Sequence, residues 1–326
     1  MPQTYSQETH FPQQISQTIT PWWQQNSHQA YYHTSDNTQL YWCSMTAPQH
    51  TKAIVVVNGR LESVWKYQEL FYDLFQQGYD IYSFDHRGQG LSDRLLNDKE
   101  IGYVHTFDDY VRDLAELVPH FPLQRYAQRY LLAHSMGGTI ATRYLETHAE
   151  HPFDAVALSA PMLGIHLPWP LSTMVEPISC LLTLLYRTPH YAPGYGPYYA
   201  KPFAINPLTH SEIRYQWFRE LYEQKPTLKL GGPSTRWVWQ GLKAARRCLK
   251  HTHQLTVPTL LMQAGCDTIV SNASQTRFMA QLAKTNPNSR IQLIHGAKHE
   301  LLFESDRYRN QALDALFTHF NSPILK

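Results

Sequence analysis

The sequence predicts an α/β architecture: a doubly wound, mostly parallel sheet with an inserted helical cap. Short apolar or β-branched runs recur at 52–57, 79–84, 130–134, 155–160, 258–263 and 290–294. Such runs are what strands buried on both faces look like. Between them lie segments with apolar residues at helical spacing, which is the alternation of βαβ units. The alternation stops over residues 161–252, where Pro, Tyr and Trp cluster, and then resumes. An insertion between two strands of one sheet is the economical reading.

Taken in order, residues 1–35 have weak periodicity and are expected as an irregular or partly helical N-terminal leader. The core is expected over 36–160 and 253–326, and the helical cap, or lid, over 161–252. Thr38–Cys43 alternates like a strand, and Lys52–Val57 is a β-branched run suited to a sheet interior. The run ends at the turn-forming pair Asn58-Gly59, after which Tyr67, Leu70, Phe71, Leu74 and Phe75 share one helix face. Tyr79–Phe84 is the next strand, followed by Asp85-His86-Arg87-Gly88-Gln89-Gly90. A dinucleotide fingerprint would need a third glycine at position 93, where the chain has Asp93. Thr106 and Asp109 form a capping box ahead of a helix through Tyr110, Leu114 and Leu117. Past the cap come a strand at 258–263, a helix from about Ser274 and a strand at 290–294. A last amphipathic helix runs through Tyr308, Ala312, Leu313 and Leu316.

Composition narrows the function classes. The chain has 326 residues of which 43% are apolar, which excludes a disordered protein and allows a sizeable core. Cys43, Cys180, Cys248 and Cys266 are scattered, without the paired spacing of a zinc site or disulfide framework. The polar, glutamine-rich amino terminus lacks the pattern of a secretory signal. The strongest apolar run, Ile178 to Tyr186, falls far short of the roughly 20 residues of a spanning helix, so any membrane contact is expected to be peripheral. Residues 161–252 carry eleven Lys or Arg, Arg187 among them, against four acids. That surplus of seven sits in a chain whose net charge is +2, leaving −5 for the rest. Cations interleaved with Trp, Tyr and Leu suit an anionic membrane surface; scattered charges on a solvated face are the alternative. Nothing supports a nucleic-acid partner.

The chemistry centres on Tyr130-Leu131-Leu132-Ala133-His134-Ser135-Met136-Gly137-Gly138, a buried strand that meets a serine and then a helix. A strand–turn–helix elbow that exposes a nucleophile needs small residues two positions either side of it, here Ala133 and Gly137. For the pentapeptide alone, a serine capping the helix reads as well. A serine nucleophile needs a histidine base and an acid to orient it, with the acid and then the histidine following late strands in this topology. Asp267 lies just past the 258–263 strand, while His295 and His299 both lie just past the 290–294 strand. His299-Glu300 opens like a zinc motif, but Phe303 occupies the position of its second histidine, so neither metal nor cofactor is expected. The backbone N–H groups of Met136 and Arg60 are the expected donors to a tetrahedral oxyanion.

The segments VNGRLESVWKY, FDHRGQGLSDR, LLAHSMGG, LLMQAGCD and HGAKHELLFE resemble the serine-hydrolase group of α/β-hydrolases that contains the monoacylglycerol lipases. Within it, HRGQGLSDRLL, KPFAINPLTHSEIRY and LGGPSTRWVW are similar to the bacterial lysophospholipases of the L(2) type, from about residue 35 to the carboxyl end. The resemblance implies Ser135 as nucleophile, Asp267 as acid and His299 as base, with a lysophospholipid substrate and peripheral association with the cytoplasmic face of the inner membrane. Monoacylglycerol lipases usually carry His-Gly where this chain has Asn58-Gly59. The alternatives are a monoacylglycerol lipase or general carboxylesterase, acyl transfer to a second lipid, and a non-catalytic lipid-binding protein on the same fold.

Overall fold

The computed structural model describes residues 5–186 and 188–322, so Arg187, counted among the cap cations, lies outside the described residues. Its sheet is built from β1 (Ser27–His33), β2 (Gln39–Met45), β3 (Lys52–Val57), β4 (Tyr79–Phe84), β5 (Gln128–His134), β6 (Ala155–Ser159), β7 (Thr259–Ala264) and β8 (Arg290–Ile294). The strands lie in the order β1-β2-β4-β3-β5-β6-β7-β8. β1 and β2 pair antiparallel, as do β2 and β4, and every later pair is parallel.

The helices are α1 (Phe11–Gln14), α2 (Thr20–Asn26), α3 (Gln68–Gln76), α4 (Phe107–His120), α5 (Met136–Thr147), α6 (Leu171–Leu185), α7 (Glu212–Gln224), α8 (Thr235–Lys250), α9 (Asn272–Leu282) and α10 (Asp306–Phe320). Alternation along β3 shows how the layers form. Val55 and Val57 face a core shared with α4, α5, α8 and α9, while Ile54 and Val56 face one shared with α3 and α10. Each such buried side chain contributes about 1.5–3 kcal/mol through loss of apolar surface from water. The Thr106–Asp109 pair closes the helix start: Thr106 N–H donates to Asp109 Oδ2 and the Thr106 hydroxyl to Asp109 Oδ1, each at 2.9 Å.

Two regions differ from their sequence expectation. The leader is partly helical, as expected, but it also packs into the core: Trp23 is fully buried between the rings of Trp65 and Phe71. It also ends in an unexpected strand, β1, which sits at the sheet edge with most side chains outward and so carries no apolar alternation. In the inserted segment, α8 does not belong to an outer layer. Trp237, Ala244 and Cys248 place it in the same core as α4, α5 and α9, and α6 packs outside it.

Candidate active site

The residues singled out by sequence sit at the carboxyl ends of the parallel strands, where ligands bind in sheets of this kind. Ser135 follows β5 directly and adopts φ 52°, ψ −117°, a conformation costing about 1–3 kcal/mol for a residue with a Cβ. The sharp turn brings the start of α5 against the end of β3. A Cβ on Gly137 would lie 2.3 Å from Val57 O and 2.4 Å from Asn58 O, so that position admits only glycine. Ala133 is fully buried and its methyl is accommodated in the core.

The structure brings Ser135, His299 and Asp267 into one hydrogen-bonded line. His299 Nε2 lies 2.9 Å from Ser135 Oγ, and His299 Nδ1 lies 2.7 Å from Asp267 Oδ2. With Nδ1 protonated toward the carboxylate, Nε2 accepts from the serine hydroxyl. Asp267 Oδ1 accepts the backbone N–H groups of Ile269 at 2.8 Å and Val270 at 3.0 Å, so both carboxylate oxygens are held. Burial pushes this carboxyl upward, but the His299 ring and the hydrogen bonds from His299, Val270 and Ile269 outweigh it and keep it below the usual range. His295, the other histidine past β8, is exposed and makes no hydrogen bond to the described residues. Neither Arg60 N–H nor Met136 N–H has an acceptor among the described residues.

The turn after β3 is pinned on every side. Gly59 N–H donates to Glu62 Oε2 at 2.6 Å, which leaves Arg60 N–H as the unspent donor of that pair. From below, His86 Nε2 donates to Asn58 O at 2.9 Å, and Gln89 Nε2 donates to Gly59 O and Glu62 O, each at 2.8 Å. The Gly-Gln-Gly segment therefore serves as a clamp for this turn. Arg87 fastens the clamp to α4 through Asp113, with Nε to Oδ2 at 2.7 Å.

Sequence reasoning missed the charged group beneath the site. Lys66 Nζ meets Glu62 Oε1 at 2.9 Å and Glu300 Oε1 at 2.7 Å, with the rings of Phe218 and Phe303 each 4.5 Å away. Burial disfavours the ammonium, yet Glu300 and Glu62 outweigh it and raise the Lys66 pKa. This joins the β3 turn, the His299 loop and α7. The one signal available was Glu62 and Lys66 at i,i+4; their pairing with Glu300 is a tertiary contact. His134, beside the serine, was likewise unassigned. Burial lowers it to about 4, so it is neutral at neutral pH. Its Nδ1–H donates to Ser159 O at 3.0 Å and its ring lies 5.0 Å from that of His299.

A model of the family described as serine aminopeptidase, S33 matches residues 48–306. The chain is 40% identical over 315 residues to lysophospholipase L2 of Escherichia coli (strain K12), covering 93% of this chain and 90% of that protein. It is 35% identical over 316 residues to the probable lysophospholipase L2 of Haemophilus influenzae, covering 96% and 97% respectively. Among solved structures, a soluble variant of monoglyceride lipase from Saccharomyces cerevisiae, crystallised with a substrate analog, matches with a TM-score of 0.69. That match covers 90% of this chain and 96% of the other at 18% identity, and so speaks for the α/β-hydrolase fold alone.

Proposed function

The chain belongs to the serine hydrolase family described as serine aminopeptidase, S33, and from that premise we propose that it is a lysophospholipase. It hydrolyses the acyl ester of a lysophospholipid to a free fatty acid and a glycerophosphodiester. The observation that carries the proposal is the Ser135–His299–Asp267 line, at 2.9 and 2.7 Å, in a chain 40% identical to a lysophospholipase.

Ser135 Oγ attacks the ester carbonyl as His299 Nε2 takes its proton. Asp267 keeps the imidazole in the required tautomer and stabilises its charged form. The tetrahedral oxyanion is met by the N–H groups of Met136 and Arg60. His299 then gives its proton to the departing glycerol oxygen, and a water deprotonated by the same ring releases the fatty acid from Ser135. No metal or cofactor is required by this sequence of steps.

The same proposal includes peripheral binding to an anionic membrane surface at the cytoplasmic face of the inner membrane. Support comes from exposed cations in the inserted segment, such as Lys201, Arg246 and Lys250, and from the exposed apolar side of α6. Arg214 is excluded from this role because it is buried and paired with Glu69. The deciding measurement is fatty-acid release from lysophosphatidylethanolamine by the purified chain and by Ser135→Ala. Release is expected from the first and none from the second, with unchanged circular dichroism; a Ser135→Ala protein that still turns over refutes the assignment.

A further inference from the structure

Arg60 differs from the cations that are fully buried in the molecule. Lys66, Arg87, Arg214 and Arg309 each meet a carboxylate. No carboxylate of the described residues pairs with Arg60: Nη2 donates to Gly231 O at 2.6 Å, and Nε is buried without an acceptor. The guanidinium lies 5.1 Å from the Trp237 ring centroid, within cation–π range. Gly102 makes room for it, since a Cβ there would stand 2.6 Å from Arg60 Nη2. The surrounding wall is braced by hydrogen bonds from Gly102 N–H to Gly232 O at 2.9 Å and from Gly231 N–H to Glu100 O at 2.8 Å. Arg60 is nonetheless only partly shielded from solvent. Desolvation lowers its pKa to about 10. A partly desolvated cation with no counter-ion is an incomplete arrangement that a bound anion would complete.

Which anion follows from where Arg60 sits. Its backbone N–H is the free donor of the turn that follows Val57 and Asn58, whose carbonyls crowd Gly137 at the start of α5, so one residue presents two donors separated by its own side chain. From backbone nitrogen to guanidinium carbon is about six bonds, roughly 6–7 Å when extended. In a 1-acyl lysophospholipid the ester carbonyl carbon and the phosphorus are also about six bonds apart. We propose that the Arg60 guanidinium binds the phosphodiester of the lysophospholipid headgroup while the N–H of the same residue meets the ester oxyanion. Arg60 is then the residue that separates a lysophospholipid from an uncharged monoacylglycerol. Arginine suits the task because its fork of donors matches two phosphate oxygens. This inference rests on the lysophospholipase reading and names the group that recognises its substrate.

The test is a ratio. kcat/KM is measured for 1-acyl lysophosphatidylethanolamine and for monoacylglycerol of the same acyl chain, with the full chain and with Arg60→Gln and Arg60→Lys. Both substitutions keep the backbone N–H. The phospholipid-to-monoacylglycerol ratio is expected to fall at least about tenfold in Arg60→Gln, the size of a lost charge-assisted hydrogen bond, and to recover in part in Arg60→Lys. Equal losses on both substrates overturn the inference. A second measurement needs no variant: glycerophosphoethanolamine should compete with the lysophospholipid, whereas glycerol and inorganic phosphate at equal concentration should not. Absence of competition by the glycerophosphodiester overturns the headgroup assignment, as does equal competition by inorganic phosphate. An unaltered chain that favours monoacylglycerol is a different result. It removes the lysophospholipase reading itself, and this inference with it.

Discussion

Ser135 is held in an unfavourable backbone conformation by features a short sequence window displays only in part. Gly137 and Ala133 announce a crowded turn, but the crowding atoms are Val57 O and Asn58 O, nearly eighty residues away in the chain. The same division applies to its partners. Asp267 and His299 were legible because each follows a strand in the order the topology demands; His295 follows the same strand, and the resemblance carried by HGAKHELLFE is what singled out His299. In the proposed mechanism Asp267 acts through His299, to which it is hydrogen-bonded at 2.7 Å, so Asp267→Asn preserves shape while favouring the wrong imidazole tautomer. The expected outcome is a fall in kcat of about 1,000- to 10,000-fold with KM little changed and the fold retained. Steady-state kinetics beside a thermal melt checks it; a fall below tenfold would mean that the carboxylate only shapes the loop.

Among the elements, the leader and α6 teach opposite lessons about periodicity. Phe11, Ile15, Ile19 and Trp23 recur every fourth residue, which outruns the 3.6-residue turn of an α-helix. The π-helical turn Ile15–Ile19, closed by Thr20 N–H to Ile15 O, takes up the difference and keeps all four side chains buried. That stripe was present in the sequence but diluted by glutamines. On α6 the apolar residues are plain in the sequence and the structure leaves them outside: Trp169 is 82% exposed just ahead of the helix, and Leu184 is 72% exposed upon it. Leu181 and Leu185 face solvent as well. An exposed apolar helix flanked by cations suits the boundary of a lipid layer. Leu181→Asp combined with Leu184→Asp is expected to lower sedimentation with anionic phospholipid vesicles at least about fivefold. Unaltered sedimentation would assign the contact to the cations alone.

At the scale of the whole molecule, one buried ionic group ties together parts that lie far apart in the chain. Arg214 on α7 binds Glu69 of α3 through Nε and Nη2, Glu304 O at 2.8 Å and Asp306 Oδ1 at 2.8 Å, and its Nη2 reaches Ser6 O at 3.3 Å. Arg309 meets Asp73 Oδ2 at 2.7 Å, and Asp73 Oδ1 in turn accepts Ser6 Oγ–H at 2.8 Å. Leader, inserted helix and both flanks of one helical layer are thus held at a single junction. Arg214→Met leaves the buried Glu69 carboxylate with only Arg309 Nη1, 3.8 Å away, and removing one partner of a buried pair costs about 3–5 kcal/mol. Urea denaturation followed by tryptophan fluorescence is expected to register that loss; a change under about 1 kcal/mol would show that the junction is dispensable.

Strand positions from β2 onward, the main helix faces, the elbow serine and the order of acid and histidine were determined by the sequence alone. Each depends on local spacing, and β-branched runs, helical periodicity and turn chemistry act over fewer than about twenty residues. Tertiary structure alone brought the His299 ring to 2.9 Å from Ser135 Oγ, joined Lys66 to both Glu62 and Glu300, put α8 in the core layer with α6 outside, and left Arg60 without a carboxylate among the described residues. All four are outcomes of burial. Whether a charge finds a partner, or an apolar face finds cover, depends on segments brought together across the sheet, and no pattern within a single segment encodes that.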